Sequence, residues 1–398
     1  MKGTRGTAGE VLGAFLKLGL TSFGGPVAHL GYFRDELVSR RRWIDEAGYA
    51  DLVALCQFLP GPASSQVGFA LGLLRAGPLG GLAAWAAFTL PSAILLAAFA
   101  YGAASLSGPF GQAALHGLKL VAVAIVAHAV WGMARTLTPD RTRLLIAAVA
   151  CAIVLTPTGI AGQLAAIAFG ALAGLVLCRS AGAPARHALA VQISRSTGVA
   201  YLAAFATILA TAPVLAHLTG SHGIALFDAF YRSGALVFGG GHVVLPLLQA
   251  ETVPRGWISN DAFLAGYGAA QAVPGPLFSF AAYLGWVSGP SPNGAAGASI
   301  ALVAVFLPGL LLVAGALPFW DAIRSRPGAQ AALRGTNAAV VGILAAALYN
   351  PVWTSSVRSL ADVVIAGTGL LALLAGVRPW IVMLAITAAA VAFDPKLI

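Results

Sequence analysis

Apolar residues run through this chain in long blocks of about 20, the length a helix needs to cross the hydrocarbon core of a bilayer. Six blocks fall near 10–31, 50–74, 80–104, 114–134, 143–158 and 160–178, and six more near 225–249, 262–287, 294–319, 333–352, 359–376 and 379–394. One further block, Val199 to Leu218, stands between the two series, after a basic stretch holding Arg179, Arg186 and Arg195. The pattern predicts an all-α polytopic membrane protein made of two repeats, residues 1–180 and 223–398, joined by a linker and a connecting transmembrane helix over 181–222. An odd segment in the middle inverts the second series relative to the first, so the repeats are expected to have opposite topologies.

Four blocks carry helix-breaking residues at their centres, and they do so in pairs. Phe23-Gly24-Gly25-Pro26, Arg42-Trp43-Ile44 and Gln57-Phe58-Leu59-Pro60-Gly61-Pro62 return as Phe238-Gly239-Gly240-Gly241, Gly256-Trp257-Ile258 and Gln271-Ala272-Val273-Pro274-Gly275-Pro276. The shift is 238 − 23 = 215 for the first motif and 257 − 43 = 214 for the others, one duplication with a single-residue slip. Paired prolines cannot continue a helix, and consecutive glycines turn the chain without a Cβ clash. In a bilayer such broken backbone survives only where it is buried in protein or lines a cavity. Broken segments at matching places of two repeats point to a transporter's binding site.

The arginines test the topology. Arg135, Arg141 and Arg143, then Arg179, Arg186 and Arg195, then Arg324, Arg326 and Arg334 mark three loops as cytoplasmic, whereas 105–113, 156–162 and 219–224 carry no Lys or Arg. All six alternate if the middle block crosses once and the amino terminus is cytoplasmic. The loop with Arg34, Arg40, Arg41 and Arg42 stays inside only if 10–31 and 50–74 are re-entrant hairpins folded at their motifs. The corresponding second-repeat loop, with Glu251, Arg255 and Asp261, is net −1 and belongs outside, as an inverted copy requires.

Composition narrows the function. With 59% hydrophobic and 9% charged residues among 398, the chain cannot cover a soluble globule with polar surface, and membrane lipid is its surroundings. Its +10 charge is accounted for by cytoplasmic arginines, so no nucleic-acid partner is expected. Cys56, Cys151 and Cys178 stand singly and indicate neither a disulfide framework nor a zinc site. Lys2 and Arg5 precede an apolar stretch without a small-residue cleavage site, which reads as retained and not as a signal peptide. Phosphate loops and hydrolase signatures are absent, and the duplicated elements hold no matched nucleophile and base. Neither an enzyme nor a cofactor or metal is expected.

Residues able to handle an anion gather at the breaks. Gly24, Gly25, Gly239, Gly240 and Gly241 can turn N–H groups onto an ion, helped by a helix N-terminus, although tight helix packing is the simpler role of such glycines. Ser64, Ser65 and Ser279 follow the Pro-Gly-Pro triplets with hydroxyls. Gln57 and Gln271 precede them with amides suited to an oxyanion or to carbonyls freed by the kink. Lys17 and Arg232 are equivalent (232 − 17 = 215), and a basic residue at depth in both copies either serves function or snorkels to the interface. Glu36 and Glu251 also correspond (251 − 36 = 215) and either pair with nearby arginines at the mouth or are solvated loop charges. With His29 and His242 near the breaks and His116, Lys119 and His128 on the fourth block, they are candidates for proton coupling.

Several motifs in order carry a resemblance over essentially the whole chain. Phe15-Leu16-Lys17-Leu18-Gly19 runs into Ser22-Phe23-Gly24-Gly25-Pro26, followed by Trp43, Gln57-Phe58-Leu59-Pro60-Gly61-Pro62 and Gln66. Gly239-Gly240-Gly241-His242 and Gln271-Ala272-Val273-Pro274-Gly275-Pro276-Leu277 follow in the second half. Together these resemble the chromate ion transporter (CHR) family in its long, two-domain form. The resemblance implies a bacterial inner-membrane carrier that expels chromate, with sulfate as a chemical look-alike and no ATP-binding subunit, and it leaves a homodimer open. It assigns the family's motif positions to Lys17, Phe23, Gly24, Gly25, Pro26, Gln57, Pro60, Gly61 and Pro62, with Ser22 and the second-copy residues Phe238, His242, Pro274, Gly275 and Pro276 alongside. The copies differ where Gly241 stands for Pro26 and Leu277-Phe278 for Ala63-Ser64. A transporter of sulfate or another inorganic anion, or an anion channel, is the alternative.

Overall fold

The computed structural model describes residues 6–103, 108–156, 160–179, 193–324 and 326–393, and among them every regular element is a helix. Lys2, Arg5, Arg186 and most of the basic linker lie outside the described residues. The first half contains α1 (Ala8–Thr21), α2 (Gly25–Phe33), α3 (Glu46–Phe58), α4 (Ala63–Ala103), α5 (Pro109–Leu137), α6 (Arg141–Leu155) and α7 (Ile160–Leu177). The connecting helix α8 (Arg195–Thr219) leads to α9 (His222–Ala235), α10 (Val244–Thr252), α11 (Asn260–Ala270), α12 (Phe280–Val287) and α13 (Gly294–Ala316). The chain finishes with α14 (Trp320–Arg324), α15 (Pro327–Ala347), α16 (Thr354–Ser356), α17 (Leu360–Leu374) and α18 (Pro379–Ala392). Local chemistry starts several of these helices: Thr7, Asp45, Asp140, Ser194 and Ser259 each accept a hydrogen bond from a first-turn amide, and Ser359 with Asp362 closes a capping box.

All four motif-bearing blocks are broken where glycine and proline break them. Gly24 and Gly25 (φ +102° and +79°) end α1 and open α2, and Gly239 and Gly240 (φ +76° and +146°) do the same between α9 and α10. Gly61 (φ +125°) and Gly275 (φ +101°) sit inside the Pro-Gly-Pro triplets that separate α3 from α4 and α11 from α12. Each L-residue substitute at these angles would be strained, so glycine is required there.

Each broken pair folds back on itself. In the first repeat the Trp43 indole N–H donates to Glu10 at 3.0 Å, and the Arg75 guanidinium lies 5.5 Å from the Trp43 ring, which gathers the outer ends of α1, α3 and the first arm of α4. In the second repeat the His222 ring meets Trp257 at 4.7 Å, and the Gly289 amide donates to the Trp257 carbonyl at 2.8 Å. These contacts form two hairpin mouths, with the breaks at the tips. Helix α4 turns at Ala76 and Gly77, and its long second arm, 78–103, begins beside the first mouth. That arm ends with Tyr101 against Trp286, next to the second mouth, so the mouths lie at opposite ends of this helix.

Among the described residues six helices are long and apolar enough to cross a membrane, which makes this a multi-pass membrane protein. Helices α5, α13 and α15 are central, their apolar windows 67–72% buried. The apolar window of the connecting helix α8 is only 6% buried. The halves are interleaved. Helix α5 packs with α17 and α18 of the second half, where Gly117 lies against the Thr387 backbone and Gly369 makes room for the Ile386 side chain, and α15 packs with α6 and α7 of the first. At the latter seam Gly335 faces Gly170 and Gly174 so closely that no Cβ fits.

Candidate functional site

Four breaks, two from each repeat, meet at one place. The Gly61 amide donates to the Val237 carbonyl at 2.7 Å, and the Gly275 amide donates to the Ser22 carbonyl at 2.9 Å. Gly61 and Gly275 are equivalent across the repeat, as are Ser22 and Val237, so one bond is the mirror of the other. Each Pro-Gly-Pro tip is thereby tied to the glycine break of the opposite repeat, and unpaired backbone groups created by one break are satisfied by another. Two helices inherit the same symmetry: Gly61 lies against Gly309 of α13, and Gly275 against Ser92 of α4.

The same geometry explains a departure between the copies. Pro26 and Gly241 are equivalent positions, and they face each other: a Cβ on residue 241 would come within 3.2 Å of the Pro26 ring. Where two equivalent residues meet, one pyrrolidine ring fills the space and glycine accepts it.

Around the first repeat's breaks the expected polar residues are largely buried. Ser22, His29, Ser64 and Ser65 are at most 3% exposed, and His29 Nδ1 lies 3.4 Å from Ser64 Oγ. Phe23, Pro26 and Pro60 are half-buried, Gly61 and Pro62 are buried, and Gln57 is exposed. Repair of the opened backbone falls instead to Gln66, one turn into α4, whose amide donates to the Pro60 carbonyl at 2.9 Å and to the Gly309 carbonyl at 3.0 Å. In the second repeat, His242 Nδ1 is 2.6 Å from the Tyr267 hydroxyl, and Ser279 donates to the Pro276 carbonyl at 2.7 Å. Pro274 and Pro276 are buried, while Phe238, Gly239, Gly240, Gln271 and Gly275 are half-buried.

Lys17 and Arg232 are not free cations. Lys17 Nζ pairs with Glu36 at 2.8 Å, and Glu36, almost wholly buried, also receives Arg40 at 2.9 Å and Arg41 at 2.7 Å. The duplicated set is Arg232, Glu251 and Arg255: Glu251 meets Arg232 at 3.2 Å and Arg255 at 2.7 Å, and Arg232 also grips Asp228 at 2.7 Å. Each set ties the two arms of a glycine-broken hairpin together. The first holds three cations on one carboxylate, while the second holds two on two. Asp228 was not singled out from the sequence, although its i,i+4 spacing to Arg232 is a readable ion-pair signal.

Two further groups lie away from the breaks. His116 Nε2 contacts Asp362 at 2.8 Å and the buried Lys119 contacts Asp261 at 2.9 Å, which fastens α5 to α17 and α11. Among the described residues no group of three His, Cys, Asp or Glu could hold a metal ion, and Cys56, Cys151 and Cys178 are free thiols.

Comparison with known proteins agrees with this duplicated design. A family described as chromate transporter matches residues 9–175 and again 224–392, one match on each side of the connecting helix. The chain is 31% identical over 342 residues to a chromate transport protein of Pseudomonas aeruginosa, covering 85% of this chain and 79% of that one. It is 28% identical over 365 residues to a chromate transport protein of Cupriavidus metallidurans, covering 90% and 84%. A probable chromate transport protein of Synechococcus elongatus is 29% identical over 338 residues, 84% of this chain and 82% of the relative. No solved structure matches. With both halves matched and the likeness running through most of each relative, this chain belongs to the chromate transporter family.

Proposed function

We propose that this protein is a secondary carrier that exports chromate, a tetrahedral dianion, across the bacterial cytoplasmic membrane and so confers chromate resistance. Its amino terminus is cytoplasmic, its repeats are inverted in the membrane, and the ion is held where the four breaks meet. The single observation that carries this reading is the reciprocal pair of backbone bonds, Gly61 to Val237 and Gly275 to Ser22, which brings interrupted helices of both repeats to a shared centre. The curated relatives are named for chromate transport, and sulfate, of the same charge and shape, is expected to compete.

Phe23, Gly24, Gly25 and Pro26 with Pro60, Gly61 and Pro62, and their second-copy counterparts, form the walls of this centre. The surplus positive charge of the Lys17, Arg40 and Arg41 set at the first mouth draws the dianion toward it from the cytoplasm. A dianion leaving a cell that is negative inside gains about 2 × 2.3 kcal/mol per 100 mV, so export needs little further coupling. His29, His242, Glu36 and Glu251 are the groups placed to add proton exchange.

Radiolabelled chromate uptake into everted vesicles tests the proposal. Uptake should require the protein, fall when the potential is collapsed, and be inhibited by sulfate. Uptake no greater than in vesicles lacking the protein would overturn the reading, and flux that neither saturates with chromate nor shows counterflow from preloaded vesicles would make the protein a channel.

A further inference from the structure

The second repeat is an internal control for the first. Near the first repeat's breaks, Ser22 Oγ, His29 Nε2, Ser65 Oγ and Thr89 Oγ1 are buried and have no hydrogen-bond partner. The four residues are 0–2% exposed. Contacts join α2 to both arms of α4: His29 Nδ1 lies 3.4 Å from Ser64 Oγ, and the His29 ring stands edge-on to Phe88 at 5.2 Å, with Ser65 and Thr89 the next residues along α4. Gly275 of the second repeat rests against the Phe88 carbonyl while its amide donates to the Ser22 carbonyl.

Equivalent positions in the second repeat are apolar. The packing sets the register: Gly19 lies against Phe88 as Gly234 lies against Val305, and Pro91 recurs as Pro308 with the same shift, 308 − 91 = 217. Ser22 therefore corresponds to Val237, His29 to Val244, Ser64 to Phe278 and Thr89 to Phe306, all at most 2% exposed. Where the first copy places Ser64 and Thr89, the second packs two phenyl rings with centroids 5.7 Å apart. The one hydroxyl the second copy keeps, Ser279 opposite Ser65, is satisfied by the Pro276 carbonyl.

The fold is thus content with valine and phenylalanine at these places. Burying three hydroxyls and one imidazole nitrogen there without partners costs free energy that the apolar residues of the other copy avoid. A ligand rich in acceptor oxygens removes that cost. We infer that Ser22, His29, Ser64, Ser65 and Thr89 form a one-sided cradle for the transported oxyanion, with Thr89 a binding residue and the second repeat contributing its apolar and glycine backbone wall. Neutral donors suit a dianion that must leave again, because they bind its oxygens without burying a countercharge beside it.

This inference rests on the carrier reading, and a test on the full-length protein separates the two. In proteoliposomes, Thr89→Val should raise the chromate KM about tenfold or more, as expected for losing a hydrogen bond to a charged ligand. In detergent, the same variant should lose the rise in Tm that chromate gives the wild type, with its ligand-free Tm unchanged or higher. Thr89→Ser, which keeps the hydroxyl, should retain the KM and the chromate-induced rise. The cradle is overturned if Thr89→Val keeps wild-type KM and stabilisation, if its ligand-free Tm falls together with flux, or if Thr89→Ser fails equally. A wild type that neither transports chromate nor sulfate nor is stabilised by them sinks the carrier reading itself.

Discussion

The two duplicated ion-pair sets show how much a single residue's role depends on its neighbours. Lys17 and Arg232 are equivalent and both basic, yet Lys17 is half-exposed and shares its carboxylate with Arg40 and Arg41. Removing it leaves Glu36 doubly paired, so Lys17→Ala should cost about 1 kcal/mol or less of stability while lowering chromate flux through the lost charge. Arg232 is the only partner that Asp228, buried at 4% exposure, has among the ion pairs described here, and Arg232→Ala strands that carboxylate. A loss of about 3–5 kcal/mol is expected, seen as a fall in membrane protein level and in Tm well beyond that of Lys17→Ala. Equal losses in the two variants would show that the sets are not built as described. The equivalence of 17 with 232 is legible in the chain, but the extra acid at 228 that makes the second set neutral acquires meaning only when its side chain is seen on Arg232.

Among elements, the breaks were readable and their partners were not. Gly24-Gly25, Pro60-Gly61-Pro62 and their copies must interrupt helices, because φ at proline is fixed and positive φ favours glycine. Nothing local says that Gly61 bonds to Val237, or that Gln66 in place of Gln57 repairs the opened carbonyls. Helix seams follow the same division. Gly170 and Gly174 belong to a small-residue pattern visible in α7, whereas their partner Gly335 is set by packing alone. Gly335→Ala should therefore lower Tm, at a cost of about 1–3 kcal/mol, because its Cβ meets backbone of α7. Gly13→Ala, with nothing within 4 Å of the added carbon, should leave Tm nearly unchanged. If both variants melt alike, the seam is looser than drawn.

At the scale of the whole molecule, the repeats of the sequence are not separable bodies. Helix α5 completes its packing on α17 and α18, and α15 on α6 and α7, so each half lends a long buried helix to the other. A chain split in the basic linker is expected to assemble when both halves are co-expressed and co-purify through one affinity tag. Either half alone should be degraded or aggregate. A half that remains folded and monodisperse by itself would argue against the interleaving. The buried centre, with its tips tied across the repeats, also places the oxyanion cradle on one side only, an asymmetry that a symmetric duplication hides.

The sequence alone determined the membrane class, the duplication with its register and the places where helices stop, because apolar length and the backbone chemistry of glycine and proline act within a few residues. The tertiary structure decided which breaks meet, why residue 241 must be small beside Pro26, and which buried hydroxyls stay without partners. Those are outcomes of contacts between segments some two hundred positions apart, and local periodicity carries no record of who stands opposite whom.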